Sequence, residues 1–173
     1  MSALVFVDTN VFVYARDATE PSKQATAEAW LRTLWTEQRG RTSMQVLCEY
    51  YAVVTRKLKP GLKPDDAWDD VTALCAWEPQ SIDAEALARA RAIEKRYRLS
   101  WWDALVVATA DIQGCAVLLT EDLQHGLRCD GVTIYNPFVA RVEEAPAVYA
   151  AARRTTRHRG RGRPRRDALT VSE

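Results

Sequence analysis

Four acidic residues border or interrupt the apolar runs of this chain, and they restrict its possible folds more than any other feature. Asp8 ends the apolar run 3–7, Glu49 sits inside the run 46–54, Asp103 opens the run 103–108, and Asp122 follows Thr120 and Glu121 after the run 116–119. A carboxylate in an apolar setting is costly unless its charge is compensated. A fold that gathers these four needs a cation. Oxygen donors with no accompanying His or Cys set suit Mg²⁺ or Mn²⁺, and that combination points to phosphodiester chemistry.

The patterning around the acids predicts the elements. Residues 3–7 are wholly apolar, as in a central parallel strand. A short helix is expected next, capped by Thr9 or Asn10. A second helix runs from Pro21 to about Arg39, with Ala25, Ala29 and Leu34 facing inward and Gly40 ending it. Ser43 caps a well-buried third helix over 44–58, closed by Pro60 and Gly61. A fourth starts at Pro64 and runs to about Cys75, with Asp65 and Asp66 suited to its first turn. Asp83 starts a fifth, with Leu87, Ala90, Ile93 and Tyr97 at core spacing. Ser100 opens a sixth, from Trp101 to about Ile112, broken by Gly114. Strands are expected over 115–119 and 132–135, with one helical turn over 123–127. Apolar strands separated by helices define an α/β fold with a parallel sheet. Ligands of such sheets sit at the carboxyl ends of the strands, where Asp8 and Asp122 fall.

Composition sets outer limits. The apolar fraction of 47% supports a core, and no apolar run is long enough to cross a membrane. The N-terminus lacks a basic segment and a small-residue cleavage site, so it reads as a first strand and the cytoplasm is the expected location. Cys48, Cys75, Cys115 and Cys129 form no close pairs and are expected as small buried hydrophobes, not zinc ligands. The phosphate-binding glycine–lysine loop of nucleotide hydrolases is absent.

The charge is divided. Residues 1–152 carry 16 Lys and Arg against 21 Asp and Glu, whereas 153–173 carry 8 Arg against 2 acids. Arg153, Arg154, Arg157, Arg159, Arg161, Arg163, Arg165 and Arg166 suit a nucleic acid, or the acidic body of the chain itself. The domain reading is therefore 1–139 as a folded unit, 140–152 as a possible extra helix, and 153–173 as an arginine-rich disordered tail.

Residues 7–15, with Asp8, Thr9 and Asn10, resemble the opening of PIN-domain nucleases. Residues 42–51, with Ser43 and Glu49, resemble the second motif of that family. Residues 99–110, with Asp103, resemble the third, and residues 118–126, with Thr120, Glu121 and Asp122, the fourth. The order and spacing agree from Leu4 to about Phe138, and the nearest likeness is to VapC-type toxins of toxin–antitoxin pairs. The resemblance implies a three-layer α/β/α fold and a Mg²⁺- or Mn²⁺-dependent endoribonuclease. It implies a homodimer and a small antitoxin that blocks the site. It assigns the metal to Asp8, Glu49, Asp103 and Asp122, with Asn10, Ser43 and Thr120 as supporting groups. Residues 140–173 lie beyond its reach.

Simpler roles compete at each position. Asp8 can cap the following helix, Glu49 can face solvent or pair with Arg56, and Ser100 with Asp103 fits a capping box. Glu121 either ligates through water or faces solvent. His125 is expected on a loop surface, and the tryptophans in packing. A DNase or RNA-processing nuclease with the same carboxylates, and a non-enzymatic RNA-binding module, are the alternative functions.

Overall fold

The computed structural model of the protein describes residues 3–139, so the expected helix over 140–152 and the arginine-rich segment 153–173 lie outside the described residues. The chain runs β1 (Leu4–Val7), α1 (Thr9–Tyr14), α2 (Pro21–Glu37), β2 (Gly40–Arg41), α3 (Met44–Arg56) and α4 (Pro64–Leu74). A 3-10 turn at Cys75–Trp77 leads to α5 (Ala84–Tyr97), α6 (Trp101–Ile112), β3 (Cys115–Leu119), β4 (Arg128–Cys129) and β5 (Val132–Tyr135).

The five strands form one sheet in the order β2-β1-β3-β5-β4. All pairings are parallel except β4 with β5. The path from β1 to β2 runs one way across the sheet, and the path from β2 to β3 runs the other. Right-handed crossovers then place helices on both faces. The direction reverses between β1 and β3, so that boundary is where a crevice opens at the carboxyl ends.

Burial follows from composition. Val5, Phe6 and Val7 of β1, and Val117, Leu118 and Leu119 of β3, are almost fully buried. Residues 104–110 of α6 are buried all round, as expected for a helix sandwiched between the sheet and α5. No helix among the described residues is long and apolar enough to cross a membrane.

Several expectations are corrected. Helix α2 stops at Glu37, and its C-cap is Gln38 in a left-handed conformation at φ 54°. Gly40 is instead a strand residue, and its role is close approach: an added Cβ would lie 2.4 Å from a ring carbon of buried Trp77. The inward face of α2 carries Ala27 and Leu34, with Trp30 and Leu31 packed against the core, whereas Ala25 and Ala29 are exposed. Their spacing of three and four residues is helical, but the expected phase was wrong. On α5, Leu87 is exposed and Ala86 takes the core position. Helix α3 ends at Arg56, two residues short of expectation, whereas α4 ends at Leu74 with Cys75 as its C-cap, as expected. Residues 123–127 form bends and turns, not a helical turn. Cys115 and Cys129 are buried, but Cys48 and Cys75 are exposed. Burial pushes the Cys115 thiol up to about 12, so it stays protonated.

Candidate active site

The register of the sheet assembles the site. Val7 pairs with Leu119, and Leu119 with Tyr135. Asp8 and Thr120 are therefore the next residues out of adjacent parallel strands. Their backbones continue the ladder, Asp8 N–H donating to the Leu119 carbonyl at 3.0 Å and Thr120 N–H to the Tyr135 carbonyl at 3.1 Å. Their side chains meet directly, with Thr120 Oγ1 donating to Asp8 Oδ2 at 2.8 Å.

Asp8 is also the N-cap of α1, its Oδ1 accepting from Thr9 N–H at 2.7 Å. Thr9 and Asn10, the caps expected from sequence, instead serve the neighbouring carboxylates. Asn10 Nδ2 lies 3.0 Å from both Thr120 Oγ1 and Asp122 Oδ2 and 3.5 Å from Asp8 Oδ2, so one amide links three side chains. Its Oδ1 accepts from Glu121 N–H at 3.4 Å, which ties α1 to the turn after β3. Thr120 Oγ1 accepts from Asp122 N–H at 3.1 Å, so it organises that turn while holding Asp8.

Glu49 projects from the exposed side of α3 toward the same crevice. Thr9 Oγ1 donates to its Oε2 at 3.1 Å, and Gln45 Nε2 to its Oε1 at 3.0 Å. Of the two simpler roles, Glu49 is exposed and forms no ion pair with Arg56. The sequence offers Thr9 only as a cap and does not single out Gln45. The signals for them are adjacency to Asp8 and the i,i+4 spacing to Glu49. Gln45 Oε1 is buried without a partner among the described residues.

Asp103 occupies the first turn of α6, where Ser100 caps the helix. Ser100 Oγ accepts from Asp103 N–H at 3.2 Å and donates to Asp103 Oδ2 at 2.6 Å. Among the described residues no hydrogen bond joins Asp103 to Asp8, Glu49 or Asp122. Replacing Ser100 by Ala removes both contacts and is expected to cost about 1 kcal/mol in thermal unfolding. An unchanged melting temperature would refute that role.

Two expected supporting residues stand apart. Ser43 is fully buried and caps α3 through Val46 N–H at 3.3 Å. Glu121 is half-buried and paired with its own side-chain partners. Tyr14 OH donates to it at 2.5 Å and Lys23 Nζ at 2.6 Å, with Lys23 also 4.1 Å from the centroid of the Tyr14 ring. His125 is exposed as expected, and its Nδ1 accepts from Asn136 N–H at 3.1 Å.

The electrostatics distinguish Asp8 from its neighbours. Burial, offset in part by the Thr120 and Thr9 hydrogen bonds, raises its carboxyl from 3.8 to about 6, with Asp122 and Glu49 adding repulsion. Among the described residues no Lys or Arg forms an ion pair with Asp8, Glu49, Asp103 or Asp122. Within the described residues every partner of these four carboxylates is a neutral donor: Thr9, Asn10, Gln45, Ser100 or Thr120. This donor chemistry, hard oxygens with uncompensated charge and an unpartnered buried oxygen beside them, fits a divalent cation such as Mg²⁺ or Mn²⁺. In the present side-chain arrangement, no group of three acidic, His or Cys residues among the described residues is close enough to ligate one ion.

An α/β domain with a carboxylate-lined crevice where its strand order reverses defines the class of the protein. Residues 5–126 match the family model of the PIN domain, and the chain belongs to that family of nucleases. Solved structures with a similar fold include a toxin–antitoxin complex from Klebsiella pneumoniae. It is 18% identical, with a TM-score of 0.55, and the alignment covers 77% of this chain and 97% of that one. Another is VapBC2 from Rickettsia felis bound to a promoter DNA fragment. It is 16% identical, with a TM-score of 0.54, covering 77% of this chain and 98% of that one. Among curated proteins none matches this chain.

Proposed function

We propose that the protein is a Mg²⁺- or Mn²⁺-dependent endoribonuclease of the VapC toxin type, with Asp8, Glu49, Asp103 and Asp122 holding the metal. The observation that supports this most is the group Asp8, Glu49 and Asp122 at the β1–β3 reversal, partnered among the described residues only by neutral donors. A bound ion would supply an activated water and neutralise charge on the phosphodiester.

The residues of the chain divide the remaining work. Asp8, fixed by Thr9 N–H and Thr120 Oγ1, holds its carboxylate in a set orientation. Asn10 keeps Asp122 at the same crevice. Glu49 is carried in from α3 and tethered by Thr9. Asp103 would join them by giving up its hydrogen bond with Ser100 Oγ. Thr120 presents a hydroxyl between Asp8 and Asp122 and can orient a water for in-line attack. No side-chain nucleophile is required, so the products are a 5′-phosphate and a 3′-hydroxyl.

The likeness to toxin–antitoxin complexes supports an antitoxin as partner, and a homodimer is proposed from the same likeness. Sedimentation that gives only monomer at micromolar concentration would remove the dimer but not the nuclease.

The experiment pairs two readings. Purified protein should cleave single-stranded RNA with Mn²⁺ or Mg²⁺ and not with chelator. In the absence of RNA, Mn²⁺ at a hundred times its dissociation constant should stabilise the fold by about 2.7 kcal/mol. A melting curve indifferent to millimolar Mn²⁺ would count against the metal site independently of any substrate choice.

A further inference from the structure

The four acids proposed as ligands are not held equally. Asp8 follows β1 with its N–H in the sheet ladder, Glu49 lies within α3, and Asp103 lies within α6. Asp122 alone among them sits on irregular chain. Strand β3 ends at Leu119 and β4 begins at Arg128, and residues 120–127 between them form neither helix nor strand. The backbone of this segment is tied to β5 at Thr120 and Gly126, whose N–H groups donate to the Tyr135 and Ile134 carbonyls. Between those points the N–H groups of Glu121 and Asp122 go to side chains, Asn10 Oδ1 and Thr120 Oγ1. Side chains, not a repeating backbone pattern, therefore decide where Asp122 lies.

The segment is fastened along one face of α1. Asn10 and Tyr14, four residues apart on that helix, share the face. Asn10 Nδ2 takes Thr120 and Asp122, whereas Tyr14 OH donates to Glu121 Oε1 at 2.5 Å. Lys23, carried by α2, donates to Glu121 Oε2 at 2.6 Å and to Tyr14 OH at 2.8 Å. The three groups close a triangle in which both oxygens of Glu121 are occupied. The Lys23 ammonium also lies 4.1 Å from the centroid of the Tyr14 ring and 5.3 Å from that of Phe138, which packs on Tyr14 at 4.9 Å. An ion pair free in solvent would hold a chain segment weakly. This one is walled by two rings, and its side chains are only 32% and 23% exposed.

We propose that Lys23 and Tyr14 are positioning residues for the metal site: through Glu121 they hold the turn that carries Asp122. This inference rests on the metal assignment proposed above. It gives Glu121 a role other than ligation. The carboxylate is spent on Lys23 and Tyr14, and the residue serves as the peg that fixes its neighbour Asp122 to α1 and α2.

Titration calorimetry of Mn²⁺ into the full-length, metal-free chain without RNA tests it. Lys23→Met removes a positive charge close to a cation site, and by charge alone that change would tighten Mn²⁺. Loss of positioning predicts the opposite, a dissociation constant about ten-fold higher. Tyr14→Phe changes no charge and keeps the ring, and it should weaken binding in the same direction. Lys23→Arg keeps a charged donor for Glu121 and should recover most of the loss. In a Glu121→Ala background Lys23→Met should have no further effect, because the peg is already gone. Undiminished Mn²⁺ affinity in Lys23→Met, or in Tyr14→Phe if the first variant does not fold, overturns the proposal and leaves the metal assignment standing. An equal effect of Lys23→Met with and without Glu121 also overturns it, since Lys23 would then not act through Glu121. A wild-type chain that binds no Mn²⁺ overturns the metal assignment, and this inference with it.

Discussion

Replacing Asp8 by Asn is expected to make the metal-free protein more stable at neutral pH while removing the proposed cleavage activity. The carboxyl is raised from 3.8 to about 6, so the folded state holds this proton more tightly than the unfolded chain does. As pH rises through that window the unfolded chain ionises first. Stability is therefore lost between about pH 4 and 6, in total about 3 kcal/mol, and stays lost above it. Asn is neutral in both states and removes that loss. Its single oxygen can still accept from Thr9 N–H, but its amide must then face Thr120 Oγ1, which loses its acceptor and already accepts from Asn10 Nδ2 and Asp122 N–H. The net gain at pH 7 should accordingly be smaller, about 1–2 kcal/mol, with none at pH 4. Urea unfolding in chelator at a series of pH values checks this. Wild-type and variant curves that stay parallel from pH 4 to 7 would refute the buried charge at Asp8. The proposed metal-dependent RNA cleavage should fall at least about 10²–10³-fold, and Mn²⁺ should no longer raise the melting temperature.

Gly40→Ala should be among the most damaging single-methyl additions in the domain. The new Cβ would lie 2.4–2.5 Å from three carbons of the Trp77 ring. Trp77 cannot retreat easily, because Phe12 and Trp35 pack on it at centroid distances of 5.8 and 5.2 Å. Overpacking of this kind costs about 3 kcal/mol, near 6–12 °C in melting temperature for a chain of this size. Shrinking the ring should relieve it, so Trp77→Phe combined with Gly40→Ala should be less destabilising than the sum of the two single changes. Additive effects would show that the clash is not what Gly40 avoids. The site should feel the change too, since β2 leads directly to Thr42, whose hydroxyl donates to the Val7 carbonyl beside Asp8 at 3.2 Å.

Gly40 also shows how local sequence misleads. A glycine after a helical run is an ordinary stop signal, yet Gln38 takes the left-handed cap and Gly40 makes room for an indole from the 3-10 turn after α4. The same holds for Leu87, which fits a helical core stripe but is exposed because Ala86, Ala90 and Ile93 define the face toward α6. Residue spacing within a helix restricts which residues share a face. The neighbour it packs against decides which face is inside.

The site divides along the same line. Sequence alone determined the α/β architecture, because buried parallel strands must be apolar on both faces and so stand out between helices. It also placed Asp8 and Asp122 just beyond strand ends, and the capping pair Ser100–Asp103 could be read from four adjacent letters. Tertiary structure decided the rest. The register of β1 against β3 put Thr120 on Asp8, and the packing of α3 brought Glu49 to Thr9, a residue 40 positions away. It also gave Glu121 to Lys23, a partner 98 positions distant. Those pairings depend on how strands and helices are set beside one another, and no local pattern of residues encodes the distance between two elements far apart in the chain.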